Sequence, residues 1–470
     1  MDDFQGATDR FLSWFKSVGG EFRDDLLEIQ DLRARDAGRG IIATKDIPED
    51  TTLFTIPRNA IINTETSELG QKIPGLFDTT FDENDEDAEP LDSWGSLILV
   101  MLYEYLQGEA SIWKPYFDVL PQVFDTPIFW TEAELKELQG TCLTTDKIGK
   151  QESDDMLRTR ILPIVAKNSS VFYSEGATPL SEEDLLALAH RIGSTIMAYA
   201  FDLDNGNDQS DDEEDGWVED RDGKTMLGMV PMADILNANA DFNAHVNHGD
   251  SLEVNSLRTN LAAGSEILNY YGPLPTSELL RRYGYVTPEH RRYDVVELPW
   301  NLVRSAVAQQ LNLAEDVLEG IEAEMDEDEV EEYFIIERDS GEPDSEGRLV
   351  YPAQLREISP ELDEQLKTLL KALKKSRPEV FADKRKREDI CNAAVLQALK
   401  VKLGQYPTTA QEDEGLLKKE GLSKRNSMAV EVRLGEKILL QEGIDLIKGN
   451  VVGDDEAAEG RATKKAKTKN

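Results

Sequence analysis

Two β-rich stretches flank a long helical one, and this order constrains the fold more than any other feature. In the first, LLEIQDL, GIIAT and TTLFTIP are short β-favouring runs between Leu26 and Ile62, broken at Asp36–Gly40 and Pro48–Asp50. In the second, after residue 224, MLGMVPM, LEVNSLR and EILNYY have the same character. Between them, WGSLILVMLYEYL is apolar on nearly all sides and predicts a buried helix. Thr131 and Glu134 form a capping box for a second helix, and Ser181 caps a third that runs to about Phe201. A short helix over 8–18, capped by Thr8 and ended by Gly19–Gly20, precedes all of this. Residues 276–284 predict one or two helical turns, and beyond Trp300 apolar residues recur at helical spacing. No internal repeat is present. The chain reads as α+β.

Charge narrows the function. The 470 residues suggest two or three domains, and 51 basic against 93 acidic residues give a net charge of −42. A charge this negative repels phosphates, which argues against the protein as a whole being a general nucleic-acid or anionic-membrane binder and favours basic protein partners. Three runs, 78–92, 202–222 and 322–332, hold 27 of the 93 acids; the first two read as solvated or disordered loops, such runs read first as solubilising, and attraction of a basic substrate is the second reading. Cys142 and Cys391 are too few for a disulfide framework or a multi-cysteine zinc site and fit a reducing compartment. The acidic start is no signal peptide, and the longest apolar run, Leu97 to Tyr103, is too short to span a bilayer, so a soluble intracellular protein is expected. Two basic runs, KRKR at 384–387 and RATKKAKTKN at 461–470, read as solvated positions or as nuclear-import signals.

Several chemistries are excluded by what is missing. The four histidines make no HExxH, and His245 and His248 fall in a predicted turn as solvated loop residues. There is no phosphate-binding Gly-Lys-Ser/Thr loop and no nucleophile elbow. What stands out is a set of glycine, asparagine and tyrosine: ARDAGRGI (34–41), PMADILNANADFN (231–243) and EILNYYGPLPTSELLRRYGYV (266–286), the last carrying Tyr270, Tyr271, Tyr283 and Tyr285. Taken singly, the glycines read as turn residues and the tyrosines as core with a polar tip.

In this order and spacing, the three segments resemble the motifs of the SET-domain protein lysine methyltransferases. The helical insert is a family feature, and a helical C-terminal domain resembles the branch of the Rubisco large-subunit methyltransferase. The resemblance implies small β-sheets with a threaded pseudoknot, a helical insert and an all-α substrate-binding domain. The expected division is an N-terminal helix at 1–25, SET segments at 26–93 and 225–290 around an insert at 94–201, an acidic disordered loop at 202–224, the C-terminal domain at 291–450 and a disordered basic tail at 451–470. It implies S-adenosylmethionine as cofactor, lying against Ala37, Gly38, Arg39, Asn237 and Ala238, with Tyr283 as the catalytic tyrosine that also meets the cofactor. Trp94, Tyr199 and Tyr271 match residues lining a lysine channel, and Asp234 falls where a related enzyme touches its substrate. No metal is implied. Most of the family has His where this chain has Ala238, and the cysteines that close the site with zinc in some relatives are missing.

The implied reaction is transfer of a methyl group to a protein lysine, with a 60S ribosomal protein as the expected basic substrate. A histone or transcription factor is the second substrate reading, and an acidic, non-catalytic binding module for basic proteins the third. A monomer is expected, with no direct nucleic-acid or membrane partner, located in the nucleus with the cytoplasm as a second compartment.

Overall fold

The computed structural model describes residues 3–35, 37–78, 90–174, 176–203, 226–323, 330–378 and 384–467, with side chains left undescribed at 384–386 and 450–467. The acidic runs lie largely outside these residues, as does the expected acidic loop 202–224 except for Asp202 and Leu203, which are not loop but the end of the strand Ala200–Leu203.

The chain opens with the helix Phe4–Ser17, one turn earlier than its sequence suggests. Thr8 is therefore interior, not a cap: its hydroxyl donates to the Phe4 carbonyl at 2.9 Å. This back-bond to the preceding turn is the usual way a threonine is accommodated inside a helix. Phe11 and Phe15, one turn apart, are fully buried. Gly20 lets the chain turn beneath them, because a Cβ there would stand 2.5 Å from the Phe15 ring.

The β segments meet across the insert. A four-stranded antiparallel sheet runs Glu21–Phe22, Thr52–Pro57, Ser251–Ser256, Ala244–Asn247, so its central pair joins residues about two hundred positions apart. Small two-stranded sheets surround it: Leu27–Asp31 with Arg39–Ala43, Ala200–Leu203 with Met226–Met229, and Ile47–Pro48 with Asn260–Leu261. His245 lies on the strand Ala244–Asn247, not in a turn. Ala244 and Val246 face inward there while His245 and Asn247 face out, and this alternation with a short polar flank is what disguised the strand. The segment 264–269 lies between two others. Ile267 N–H donates to the Ile41 carbonyl at 2.8 Å, and Leu268–Asn269 pairs in parallel with Asn237–Ala238.

The insert supplies the core. Helix Ser93–Leu106, capped by Asp92, buries every residue from Gly95 to Glu104, as its all-round apolar sequence predicts. Glu104 is held there by the hydroxyls of Ser67 (2.6 Å) and Ser111 (2.7 Å). Each fully buried leucine in it contributes about 1.5–3 kcal/mol. The Thr131 capping box forms, but its helix is a single turn, Glu132–Leu135. Ser181 caps Glu182–Tyr199 as expected.

The C-terminal part has its own core. Leu362, Leu366, Leu369, Leu370 and Leu373 on helix Pro360–Ser376 pack with Leu439, Leu440 and Ile444 of the last helix, Lys424–Lys467. An antiparallel pair, Val295–Pro299 with Tyr333–Glu337, adds β structure to a region read as all-α; YFIIE alternates between core and solvent as a strand should. The backbone of the last helix runs into the stretch 451–470, read from sequence as a disordered tail, consistent with its many Ala, Glu and Lys residues.

Three polar residues of that last helix are buried. Arg433 Nε donates to Asp413 Oδ1 at 2.9 Å, and Lys437 Nζ meets the other oxygen of Asp413 and Thr408 Oγ1 at 2.9 Å. Glu436 accepts from the Tyr406 hydroxyl (2.7 Å) and the Cys142 N–H (2.9 Å), and burial pushes its carboxyl up to about 7. Around them, Trp130, Leu138, Leu143, Leu280, Met428, Ala429 and Val432 join insert, SET segment and C-terminal helix.

Candidate active site

The glycine turn sits between the strands Leu27–Asp31 and Arg39–Ala43. Gly38 takes φ +66°, a conformation glycine adopts without cost, and a Cβ there would meet nothing within 4 Å. Gly40 is the opposite case: a Cβ would stand 2.3 Å from Leu32 Cδ1, 2.7 Å from Glu266 Oε1 and 3.1 Å from Asn237 Nδ2. Ala37 N–H is bonded to the Leu32 carbonyl (3.3 Å). The Arg39 guanidinium is committed away from the turn. It donates to Thr8 Oγ1 (3.0 Å) and to the carbonyls of Val119 (3.0 Å) and Phe4 (3.2 Å), and lies 3.9 Å over the Phe4 ring.

Asn237 comes from the segment paired with 268–269. Its Nδ2 donates to the Arg39 carbonyl (3.0 Å) and to Glu266 Oε1 (2.6 Å). Those two bonds fix the amide and leave Oδ1 as its remaining acceptor. Ala238 is bound through its main chain: it pairs with Asn269, and its carbonyl lies 3.4 Å from the Tyr285 hydroxyl.

Tyr283 ends the helix Thr276–Tyr283, which stops at Gly284 in a left-handed turn (φ +74°). Leu279, Leu280 and Tyr283 fix its buried face, and Asp294 Oδ1 accepts its first N–H, from Thr276, at 3.0 Å. The Tyr283 ring stacks on Tyr271, and Tyr285 meets it edge-on with centroids 6.1 Å apart. The Tyr271 hydroxyl points to the Leu236 carbonyl at 3.4 Å; the Tyr283 hydroxyl is buried with no hydrogen-bond partner. Burial raises all three phenols well above their ordinary pKa, so they stay protonated donors at neutral pH.

A buried acid adjoins them. Asp234 Oδ2 accepts the Tyr116 hydroxyl, whereas Oδ1 is buried without a partner. Desolvation pushes its carboxyl up to about 7, although the residue as a whole keeps some exposure. Tyr199, half-buried, is raised first by burial and then by the charge of Asp234. The turn leading to Asp234 carries Met232 at φ +83°, rare for a non-glycine, in a fully buried position. Phe124, Ala198, Ala238 and Leu279 complete the cluster around Tyr271 and Tyr283.

The structure thus brings together Tyr199, Asp234, Ala238, Tyr271 and Tyr283, with Asn237 next to Ala238 on its strand and bonded to the adjoining turn at Ala37–Arg39. Trp94 stands on the first turn of helix Ser93–Leu106. It abuts Gly193, which is six residues, or about 9 Å, before Tyr199 on its helix. Tyr270 faces the other way, stacked on Phe242 with centroids 4.5 Å apart. Sequence reasoning missed Tyr116, Phe124 and the role of Glu266. Glu266 alone had a signal, its place at the head of EILNYY.

These residues suit a cationic, amino-acid-like donor. The open Gly38 turn admits close approach, the Asn237 Oδ1 offers an acceptor, and the unbonded Tyr283 hydroxyl and Asp234 Oδ1 present polarity inside an aromatic wall. Among the described residues no group of three or more His, Cys, Asp or Glu could hold a metal, and no helix is long and apolar enough to cross a membrane.

Comparison with known proteins matches the SET domain family over residues 38–272 and the Rubisco LSMT substrate-binding family over 306–440. The Ribosomal lysine N-methyltransferase 4 of Saccharomyces cerevisiae is 33% identical over 306 residues, which span 63% of this chain and 59% of the yeast protein. The N-lysine methyltransferase setd6 of Xenopus laevis is 27% identical, over 93% of this chain and 95% of its own length. Among solved structures, the SET domain of LSMT bound to lysine and AdoHcy superposes with a TM-score of 0.63 at 22% identity, covering 97% of this chain and 94% of that one. Rubisco LSMT bound to AdoMet gives 0.60 at 22%, over 96% and 93%. With both family domains in order and the tyrosine pair in place, the chain belongs to the SET-domain protein-lysine N-methyltransferases, S-adenosylmethionine-dependent enzymes, in the branch that carries the Rubisco LSMT substrate-binding domain.

Proposed function

We propose that this chain methylates a lysine of a 60S ribosomal protein. The observation that carries the catalytic part is the stacked Tyr271–Tyr283 pair with a buried, unbonded Tyr283 hydroxyl. The name of the yeast relative supports the ribosomal part.

When bound, S-adenosylmethionine supplies an electrophilic methyl on a sulfonium. The main chain of Ala37, Gly38 and Arg39 and the Asn237 amide hold its polar end. Ala238 serves through its backbone, so the histidine common in the family is dispensable. Tyr199 and Tyr271 line the lysine channel, with Trp94 at the flank, and their faces receive the arriving ammonium. In water that ammonium has a pKa of about 10.4, and the aromatic channel lowers it. The Tyr283 hydroxyl aligns the neutral amine and stabilises the polarised methyl. Asp234 Oδ1 meets the amine while it is charged. The lysine proton leaves to water, so no strong base is required.

The net charge of −42 draws basic proteins to the site. The basic runs at 384–387 and 461–470 support residence in the nucleus, with KRKR lying on the helix Lys384–Leu403.

The test is label transfer from S-adenosylmethionine to purified large-subunit ribosomal proteins, wild type beside Tyr283→Phe, with histones as a second pool. One labelled ribosomal protein, lost in the variant, is expected. Label on histones alone would move the substrate to chromatin. No label and no cofactor binding by calorimetry would leave an acidic binding module.

A further inference from the structure

The start of the last helix reaches back to the insert. Arg425 commits its guanidinium there: Nε donates to Asp125 Oδ1 (3.1 Å), Nη1 to the Phe129 carbonyl (3.0 Å) and Glu134 Oε2 (3.3 Å), and Nη2 to the Phe124 carbonyl (3.4 Å). Lys424 adds an ion pair to Asp125 Oδ2 at 3.0 Å, and Trp130 Nε1 donates to the Asp125 carbonyl at 2.7 Å. A rigid five-donor fork suits this mix of two carbonyls and two carboxylates; an ammonium does not.

The loop held in this way borders the tyrosine pocket twice. Phe124, only 6% exposed, packs in the cluster with Tyr271 and Tyr283 and stacks on Phe129 with centroids 6.3 Å apart. The main chain of Asp125 and Thr126 presses on Gly284, the residue after Tyr283: a Cβ there would stand 2.9 Å from Thr126 N and 3.0 Å from Asp125 C. Arg425 itself lies in neither the tyrosine cluster nor the glycine turn.

We propose that Arg425 is a positioning residue that fixes the loop 124–129 as one wall of the pocket, and so ties the C-terminal domain to pocket size and to the number of methyl groups a lysine can receive. The inference rests on the methyltransferase reading for its consequence but not for its geometry.

The experiment compares wild type, Arg425→Lys and Arg425→Ala as full chains. Amide hydrogen exchange without substrate is followed at 124–130 and 283–286, and methylation states of the product are read by mass spectrometry. Arg425→Ala is expected to speed exchange at both segments roughly tenfold, with Lys intermediate. The product is expected to shift toward higher methylation with KM for the protein little changed. Unchanged exchange at 283–286, or an unchanged product distribution with only a lower Tm, overturns the proposal. A raised KM with unaltered products also overturns it, making Arg425 part of a docking surface. If wild type methylates nothing, the exchange data still decide the positional link while the substrate reading falls. If Arg425→Ala does not fold, Asp125→Asn is expected to give the same shifts at smaller size, and their absence refutes the idea.

Discussion

Tyr271 and Tyr283 lie face to face, ring centroids 4.4 Å apart and planes 12° from parallel. Removing the Tyr283 hydroxyl leaves that stack intact and deletes a group with no hydrogen-bond partner. Tyr283→Phe is therefore expected to keep its Tm and its cofactor affinity while the rate of methyl transfer falls by about 10²–10³, the usual loss for a transition-state donor. Single-turnover kinetics beside calorimetry separates the two; a variant that also loses cofactor binding would show that the hydroxyl positions the donor instead.

Gly38 and Gly40 are two residues apart and should respond differently. Gly40→Ala drives a methyl into Leu32, Glu266 and Asn237, and is expected to abolish measurable cofactor binding by displacing the Asn237 amide. Gly38→Ala has space but pays for its positive φ with about 1 kcal/mol, so it should bind cofactor at lower stability. Titration calorimetry and thermal melts on the two variants check this.

Asp234 gives a pH signature. An unfolded aspartate titrates near 3.9, whereas burial raises this one to about 7. Between those values the folded chain holds a proton that the unfolded chain has lost, so this carboxyl's contribution to stability falls as pH rises through the window. Asp234→Asn removes the dependence. Its Tm advantage over wild type should widen from about pH 4 and level off above about pH 7. A constant gap in melts across that range would place the shift elsewhere.

Asp413 is the shared acceptor of Arg433 and Lys437, three charged groups with side chains no more than 1% exposed. Asp413→Ala leaves two buried cations short of a counter-charge and is expected to cost about 3–5 kcal/mol. A urea midpoint followed by circular dichroism reads this directly; a loss under 1 kcal/mol would mean that Glu137 compensates for Arg433.

Local signals were read well because they are written over a few residues. The Ser181 cap, the Thr131 capping box and the apolar helix Ser93–Leu106 each depend on neighbours in sequence. Thr8 misled because a threonine before an apolar stripe looks the same whether it caps a helix or sits within one. His245 misled because a four-residue strand with two polar outward positions reads as a turn.

The site was legible where a motif marks main-chain geometry, as at Gly38, Asn237 and Tyr283. It was not legible where the arrangement depends on pairings at long range. Tyr116 reaches Asp234 across 118 positions and Arg425 reaches Asp125 across 300, and nothing near either residue announces its partner. The tyrosines of 270–285 were separated only by direction: adjacent residues point oppositely, so Tyr271 enters the pocket and Tyr270 stacks on Phe242.

The pairing of Asn237–Ala238 with Leu268–Asn269, beside a turn at 37–39, has a consequence for synthesis. The nascent chain displays its glycine turn almost at once but cannot complete the candidate methyl-donor cradle until the asparagine and tyrosine segments have followed it out. Through most of translation the early strands wait for partners made last, as Thr52–Pro57 waits for Ser251–Ser256. A ribosome that stalls within the insert therefore releases a fragment with exposed strand edges and no capacity to hold the cofactor, and chaperone demand should peak over that interval.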